Sequence, residues 1–482
     1  MAQSLFFYDL ETSGISAAYS RVMQFGGLRT DLDLKPLGEP INWLVKLPDD
    51  VLPEPEATLV HGITPQKTLA EGMAERDFAQ KLAKEIFLPD TIAVGFNNIR
   101  FDDEFIRHLL WRNFYDPYEW HWQAGRSRWD LMDLTRMTRA LRPKGLNWPQ
   151  DKEGNPTNRL VPLAEANGFA IASAHDAKED ILATVEWARR LKSAQPKLYD
   201  FSFSHRDKHS VAKIISSAKP LKTPFLYTSG AFPSQFSKTT AAIVLGSHPS
   251  DSNAVIVYDL RHNPKSFTAL SAKDMSSLLY LTREQREEQA PLPVKKLSLN
   301  KAPAVAPLAV LDKAAQKRIG LNQKTIESNL KLLASTEGFY ERVAEAYDIR
   351  NKPPARQDVE GQLYDGFLND KDKAAASSVA SAKPAELADL SPEFIDERLP
   401  QLFLRYKARN LPFTLSESEQ AEWESWRVQK LLKGVDGSLS LPKFVERLAK
   451  TSEYAKTKEQ QFLLEELKLY AESIAPPQLF DA

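Results

Sequence analysis

The 482-residue chain carries 63 basic and 64 acidic side chains, for a formal net charge of -1, and it has no cysteine. That excludes disulfide frameworks, thiolate zinc sites, iron–sulfur clusters and a cysteine nucleophile, and leaves any metal to carboxylates and histidines. At about 100–200 residues per domain the length implies two to four domains, and 42% hydrophobic with 26% charged residues is an ordinary globular mix.

No basic segment followed by a long apolar one opens the sequence. No stretch approaches the ~18 uninterrupted apolar residues of a membrane span, so a soluble cytoplasmic protein with no membrane partner is expected. Residues 5–8, 22–28, 41–45 and 92–96 are apolar runs of strand length. Residues 78–87, 104–114, 131–141 and 176–191 repeat their apolar positions with helical spacing. Early strands followed by alternating helices and strands predict a mixed sheet covered by helices over residues 1–193. Residues 194–350 change character: runs at 225–227, 241–245 and 254–258, spaced by turn residues, predict a β-rich domain. Residues 283–293 are expected to form a loop, and helical spacing returns with Ile326, Leu330 and Leu333. Residues 371–389 are low in complexity and are expected to be a mobile loop or linker. Amphipathic stretches at 394–407, 419–432 and 460–471 predict a helical domain over 351–482.

Three short patterns carry chemistry. In Phe7-Tyr8-Asp9-Leu10-Glu11-Thr12 the two acids stand two apart, so a strand presents both carboxylates on one face. Buried acids are costly unless paired, and a hard divalent cation offsets that cost. Asp102 follows the strand 92–96 and a polar turn, where a helix begins; taken alone it is an ordinary N-cap. His175 and Asp180 open a further helix that Ser173 is placed to cap, and five residues of ideal helix put them on different faces. Each pattern has a bland reading on its own. Together they supply four carboxylates and one base of near-neutral pKa within one α/β region. Oxygen-rich ligands suit Mg²⁺ or Mn²⁺, and four carboxylates can hold two ions that serve both oxygens of a cleaved phosphodiester.

The three patterns, Asp9-x-Glu11, Asn98-x-x-Phe101-Asp102 and His175-x4-Asp180, resemble those of the DnaQ-like, DEDDh class of 3′→5′ exonucleases. Longer stretches are similar to the bacterial exodeoxyribonuclease I family over essentially the whole chain. They are Gly62-Ile-Thr-Pro-Gln66, Asn113-Phe-Tyr-Asp-Pro-Tyr118, Ser127-Arg-Trp-Asp130, Leu141-Arg-Pro143 and Tyr406-Lys-Ala-Arg-Asn410. The resemblance implies a multidomain α/β plus α chain. A ribonuclease-H-like exonuclease domain (1–193), an SH3-like β-rich domain (194–350) and a C-terminal helical domain (351–482) are expected. It implies single-strand-specific 3′→5′ hydrolysis of DNA with release of 5′ mononucleotides, in DNA repair and recombination. Asp9, Glu11 and Asp180 would bind one Mg²⁺, Asp9 and Asp102 a second, with Mn²⁺ as a substitute, and His175 would deprotonate the attacking water. Implied strand contacts are Arg107, Tyr118, Trp122, Arg136 and Arg159, with Glu11 and Lys208. Arg142 is the implied contact for the C-terminal tail of single-stranded-DNA-binding protein. A monomer is expected.

Charge is unevenly placed. Residues 1–100 hold nine basic and fourteen acidic side chains, whereas residues 295–331 hold eight basic against two acidic, and 197–222 six against two. Basic clusters meet phosphates without regard to sequence, and the aromatic-rich stretch 115–122 offers rings that stack on unpaired bases. Two rival readings keep these features: a DEDDh enzyme that trims RNA, and a single-strand binder that does not cut. A pure binder has no reason to assemble the carboxylates.

Overall fold

Leu5-Phe6-Phe7-Tyr8 is apolar at every position. The computed structural model, which describes residues 2–169, 176–282, 284–349 and 355–477, buries it on both faces of the strand Ser4–Thr12 (β1). Val22–Thr30 (β2) runs antiparallel to β1, Ile41–Leu44 (β3) antiparallel to β2, and Thr91–Gly95 (β4) parallel to β1. The order is therefore β3-β2-β1-β4. Phe6, Tyr8, Phe25, Phe78, Phe87 and Phe105 make the core over this sheet.

By its internal packing the chain divides into two units: Met1–Ser127 with Ile171–Thr184 and Pro354–Ala482, and Arg128–Ala170 with Val185–Pro353. It passes between them within the strand Ser127–Asp130 (β5) and within the helix Ala177–Ala194.

In the first unit the sheet shares its fold with the C-terminal helices Arg398–Asn410, Glu417–Lys433, Leu441–Ser452 and Lys458–Ile474. Sequence periodicity missed Leu441–Ser452, and it also missed the short helices Pro55–His61 and Pro65–Glu71. Thr64 caps the latter and Pro65 starts it, so the Gly62–Gln66 stretch is a helix punctuation signal. Residues 371–389 are not a linker. Asn369 caps the helix Asp370–Ser381, and Val379, fully buried, packs with Leu387, Leu399 and Phe403. Alanine-rich composition signals helix as readily as low complexity. The buried Asp372 carboxylate accepts from the Ile395 and Asp396 backbone N–H groups and anchors the segment.

In the second unit Phe225–Thr228 (β6), Thr239–His248 (β7), Asp251–Asp259 (β8), Val294–Ser298 (β9) and Ala304–Pro307 (β10) form one antiparallel sheet in the order β10-β6-β7-β8-β9. β9 and β10 were hidden in the sequence because β9 contains Lys295 and Lys296, and Lys296 pairs with Asp251 of β8 at 2.7 Å. Within the expected loop 283–293 lies a one-turn helix, Gln285–Glu288. No helix among the described residues is long and apolar enough to cross a membrane.

Candidate metal centre and strand-binding surface

Asp9 and Glu11 lie two apart on β1, and register opposes Asp9 to Gly26 and Glu11 to Gln24 of β2. A Cβ on Gly26 would stand 2.3 Å from the Ala177 carbonyl oxygen, so glycine is what lets the helix Ala177–Ala194 approach the sheet. Gln24 ties that helix down. Its amide nitrogen donates to Asp176 at 3.0 Å, and its carbonyl accepts from the Ala177 backbone N–H at 3.1 Å. Asp176 in turn accepts from the Lys178 and Glu179 backbone N–H groups and caps the first turn. Ser173, expected in that role, lies outside the described residues, as does His175.

The docked helix brings Asp180 to the strand acids: oxygens of Asp9, Glu11 and Asp180 all lie within 4.8 Å of one another. Asp102 comes from the other side of β1. Phe101, not Asp102, holds the N-cap position of the helix Asp102–Arg112, and the Asp102 carboxylate accepts from the Leu10 backbone N–H at 3.2 Å. The ordinary capping role is thereby set aside.

Burial, then mutual repulsion, raises these carboxyls. Asp9 is pushed well up by burial and by Asp180. Glu11 is pushed up to about 10 by burial and by Asp9, Asp180, Asp102 and Asp176. Asp102 is raised by burial, Asp9 and Asp103. Carboxylates that are crowded, withdrawn from water and mutually repelling make an all-oxygen donor set that fits a hard divalent ion.

The aromatic stretch divides. Trp120 is buried against Phe87 with ring centroids 4.5 Å apart, and Tyr115 packs on the same core, so these two brace the loop. Trp122 is 61% exposed. Tyr118 joins two rings that the sequence did not single out: Phe367, 84% exposed, at 5.6 Å and Tyr364 at 6.4 Å. The only signal, Leu363-Tyr364-Asp365-Gly366-Phe367, lies some 240 residues from Tyr118 and has no periodicity. Arg107 is 6% exposed. It donates to Glu104 at 2.9 Å and to the Tyr364 hydroxyl at 3.2 Å, and lies over the Tyr118 ring at 5.9 Å.

The remaining expected residues belong to the second unit. Arg136 donates to Asp133 at 2.6 Å, and Lys208 to the Asn253 carbonyl oxygen at 2.6 Å. Arg159 is exposed just before the helix Leu160–Ala166. Arg142 donates to the Val310 carbonyl at 3.0 Å and to Asp312 at 3.3 Å. Of the two basic segments, Lys197, Lys213, Lys219, Lys222, Lys301, Lys313, Lys317, Lys324 and Lys331 are exposed.

Three protein families match the chain in succession: Exonuclease over residues 6–188, Exonuclease I SH3-like domain over 206–349, and Exonuclease I C-terminal domain over 357–474. Exodeoxyribonuclease I of Escherichia coli (strain K12) is 38% identical over 98% of both chains. The chain belongs to the exodeoxyribonuclease I family. Among solved members, E. coli exonuclease I in complex with a dA16 oligonucleotide is 37% identical. It covers 98% of this chain and 100% of its own with a TM-score of 0.93. The zinc-bound form of the E. coli exonuclease I–single-stranded DNA complex has the same identity, coverage and TM-score. As in the family, the chain comprises a ribonuclease-H-like exonuclease domain, an SH3-like domain and a C-terminal domain.

Proposed function

We propose that this family member is a single-strand-specific 3′→5′ exodeoxyribonuclease that releases 5′ mononucleotides by two-metal-ion hydrolysis. The observation that carries the reading is the convergence of Asp9, Glu11 and Asp180, with Asp102 against the same strand. The three-part division at 1–193, 194–350 and 351–482 is part of this proposal, as is a cytoplasmic monomer acting in DNA repair and recombination. Support for a metal comes from the donor set and from the related enzyme solved with zinc. Asp9, Glu11 and Asp180 would hold one Mg²⁺ and Asp9 with Asp102 a second, Mn²⁺ serving as well. Such ions supply positive charge to the attacking and leaving oxygens.

The chain's own residues do the rest. Glu11 also contacts the strand, and His175 takes the proton of the attacking water, a contribution of about 10²–10⁴-fold. Tyr118 and Trp122, joined by Tyr364 and Phe367, stack on unpaired bases at about 1–3 kcal/mol per base. Arg107, beside Tyr118 and Tyr364, also contacts the strand, and Arg136, Arg159 and Lys208 meet phosphates. Digestion of 3′- and 5′-labelled single- and double-stranded DNA with Mg²⁺, beside matched RNA, tests the reading. Loss of single-stranded DNA from the 3′ end as mononucleotides is expected; internal cuts, attack from the 5′ end or faster loss of RNA overturns it.

A related exonuclease I, 36% identical with a TM-score of 0.88, is solved with SSB in complex with the inhibitor CFAM. By the same kinship we propose that this chain docks the acidic, apolar tail of single-stranded-DNA-binding protein, with Arg142 touching it. Arg142→Ala should weaken binding of the tail peptide while leaving hydrolysis of free DNA intact.

A further inference from the structure

Asp9 is flanked on β1 by two residues that are each tied to the start of the helix Asp102–Arg112. After Asp9, the Leu10 backbone N–H donates to Asp102 at 3.2 Å. Before it, the Tyr8 hydroxyl donates to the Asp103 carboxylate, and the Asn98 amide donates to the same oxygen at 3.2 Å. Tyr8, Asn98 and Asp103 are all 0% exposed. Asn98 can reach this place because residue 95 is glycine: a Cβ there would stand 2.6 Å from the Asn98 Cβ and 3.1 Å from the Tyr8 carbonyl oxygen. The Tyr8 ring itself is set by Phe25, stacked at 6.2 Å, and Phe87, edge-on at 6.1 Å.

A buried carboxylate inside an apolar core costs free energy unless it is fully hydrogen-bonded, so such a group persists where its partners are geometrically determined. Here the partners join two elements of different chain origin, a strand and the first turn of a helix. Each of these elements carries one of the acids assigned to the second metal ion, Asp9 and Asp102. The Leu10–Asp102 bond and the Tyr8–Asp103–Asn98 cluster both tie these two elements together.

We propose that Tyr8 is a positioning residue of the metal centre: through Asp103 and Asn98 its hydroxyl holds the first turn of the Asp102–Arg112 helix in register with β1. The separation of Asp9 and Asp102 is thereby set for a divalent ion. The inference rests on the proposed assignment of those two carboxylates as ligands.

Tyr8→Phe keeps the ring and its aromatic neighbours and removes only the hydroxyl. Steady-state hydrolysis of single-stranded DNA should show kcat lowered about tenfold with KM for the strand within twofold. Calorimetric titration of the DNA-free protein with Mn²⁺ should show affinity weakened about fivefold or more. Asp103→Leu should reproduce both effects, and the Tyr8→Phe/Asp103→Leu double variant should be no worse than the more impaired single variant, because one linkage is broken in all three. Wild-type kcat and Mn²⁺ affinity in Tyr8→Phe overturn the proposal, and so does a lowered kcat with unchanged Mn²⁺ affinity. Should Asp103→Leu fail to fold, the kcat, KM and Mn²⁺ measurements on Tyr8→Phe decide alone. Wild-type protein that binds no Mn²⁺ sensitive to Asp9→Ala would instead remove the ligand assignment itself.

Discussion

At the scale of single residues the centre is a place where folding and charge oppose each other. Asp9, Glu11 and Asp102 have carboxyls raised by burial and by one another. A group whose folded pKa exceeds its unfolded value holds protons the unfolded chain has released, so folding weakens as pH rises above the ordinary carboxylate range. Metal-free protein should therefore lose thermal stability from about pH 5 to about pH 8, and a divalent ion should restore it most at the upper end. Asp180→Asn removes one repelling charge and one ligand. Its metal-free Tm should exceed that of the unaltered protein by a margin that widens with pH, while hydrolysis falls by about 10²–10³-fold or more. Scanning calorimetry across pH with and without Mg²⁺ checks both signs. An Asp180→Asn protein that Mg²⁺ still stabilises as fully as the unaltered one would contradict the assignment.

Secondary-structure elements deliver these acids, and the joints between elements are where single changes act at a distance. Gly26 is such a joint, since it faces Asp9 across β1 and β2 and touches the turn that carries Asp180. Gly26→Ala puts a methyl group 2.3 Å from the Ala177 carbonyl oxygen, against backbone that cannot rotate away. Displacement of the helix should cost about 1–3 kcal/mol by overpacking and about 10²-fold in kcat through misplaced ligands. Denaturant unfolding and single-turnover hydrolysis measure the two losses separately. The sequence shows Gly26-Gly27 as an interruption of a strand, but the helix that presses on it begins some 150 residues later. No local pattern connects them.

Across the whole molecule, charge is sorted. In the first unit the buried residues Arg21, Asp50, Glu360, Arg405 and Lys430 form a network with the buried side chain of Arg409. Arg409 bonds Asp50 at 2.7 Å and Glu360 at 2.6 Å, and Lys430 bonds Asp50 at 2.5 Å. Burial alone would raise the carboxyls of Asp50 and Glu360, but Arg409 and its neighbours hold both below the usual range. Their contribution is thus present above about pH 4.5 and lost as pH falls through the depressed values. Arg409→Met leaves two buried anions short of a partner and should destabilise the protein by about 3–5 kcal/mol in urea unfolding near neutral pH. The gap to the unaltered protein should narrow in acid. In the second unit the excess charge is basic and exposed on Lys313, Lys317 and Lys324. Binding of single-stranded DNA by Asp9→Ala protein should weaken with salt, and replacing those three lysines by alanine should flatten the log–log slope by about 0.7 for each phosphate no longer neutralised.

Much of the candidate centre is legible in the sequence. Strand alternation alone places Asp9 and Glu11 on one face, and Asp102 and the His175–Asp180 pattern stand at element starts that local punctuation reveals. Absence of cysteine restricts the ligands to oxygen and imidazole. The helical character of residues 370–381 escaped because alanine and serine carry little periodic contrast. β9 escaped because lysines interrupt it, and one of them, Lys296, finds its partner Asp251 across the sheet. Local physics, set by side-chain period and backbone punctuation, thus determined which residues carry chemistry and the class of metal they suit. Only the tertiary structure decided that Asp9, Glu11 and Asp180 meet within 4.8 Å, that Asp102 turns to Leu10 instead of capping its helix, and that Tyr364 and Phe367 join Tyr118. Those meetings are non-local, made by packing between elements far apart in the chain, and no window of sequence contains both partners.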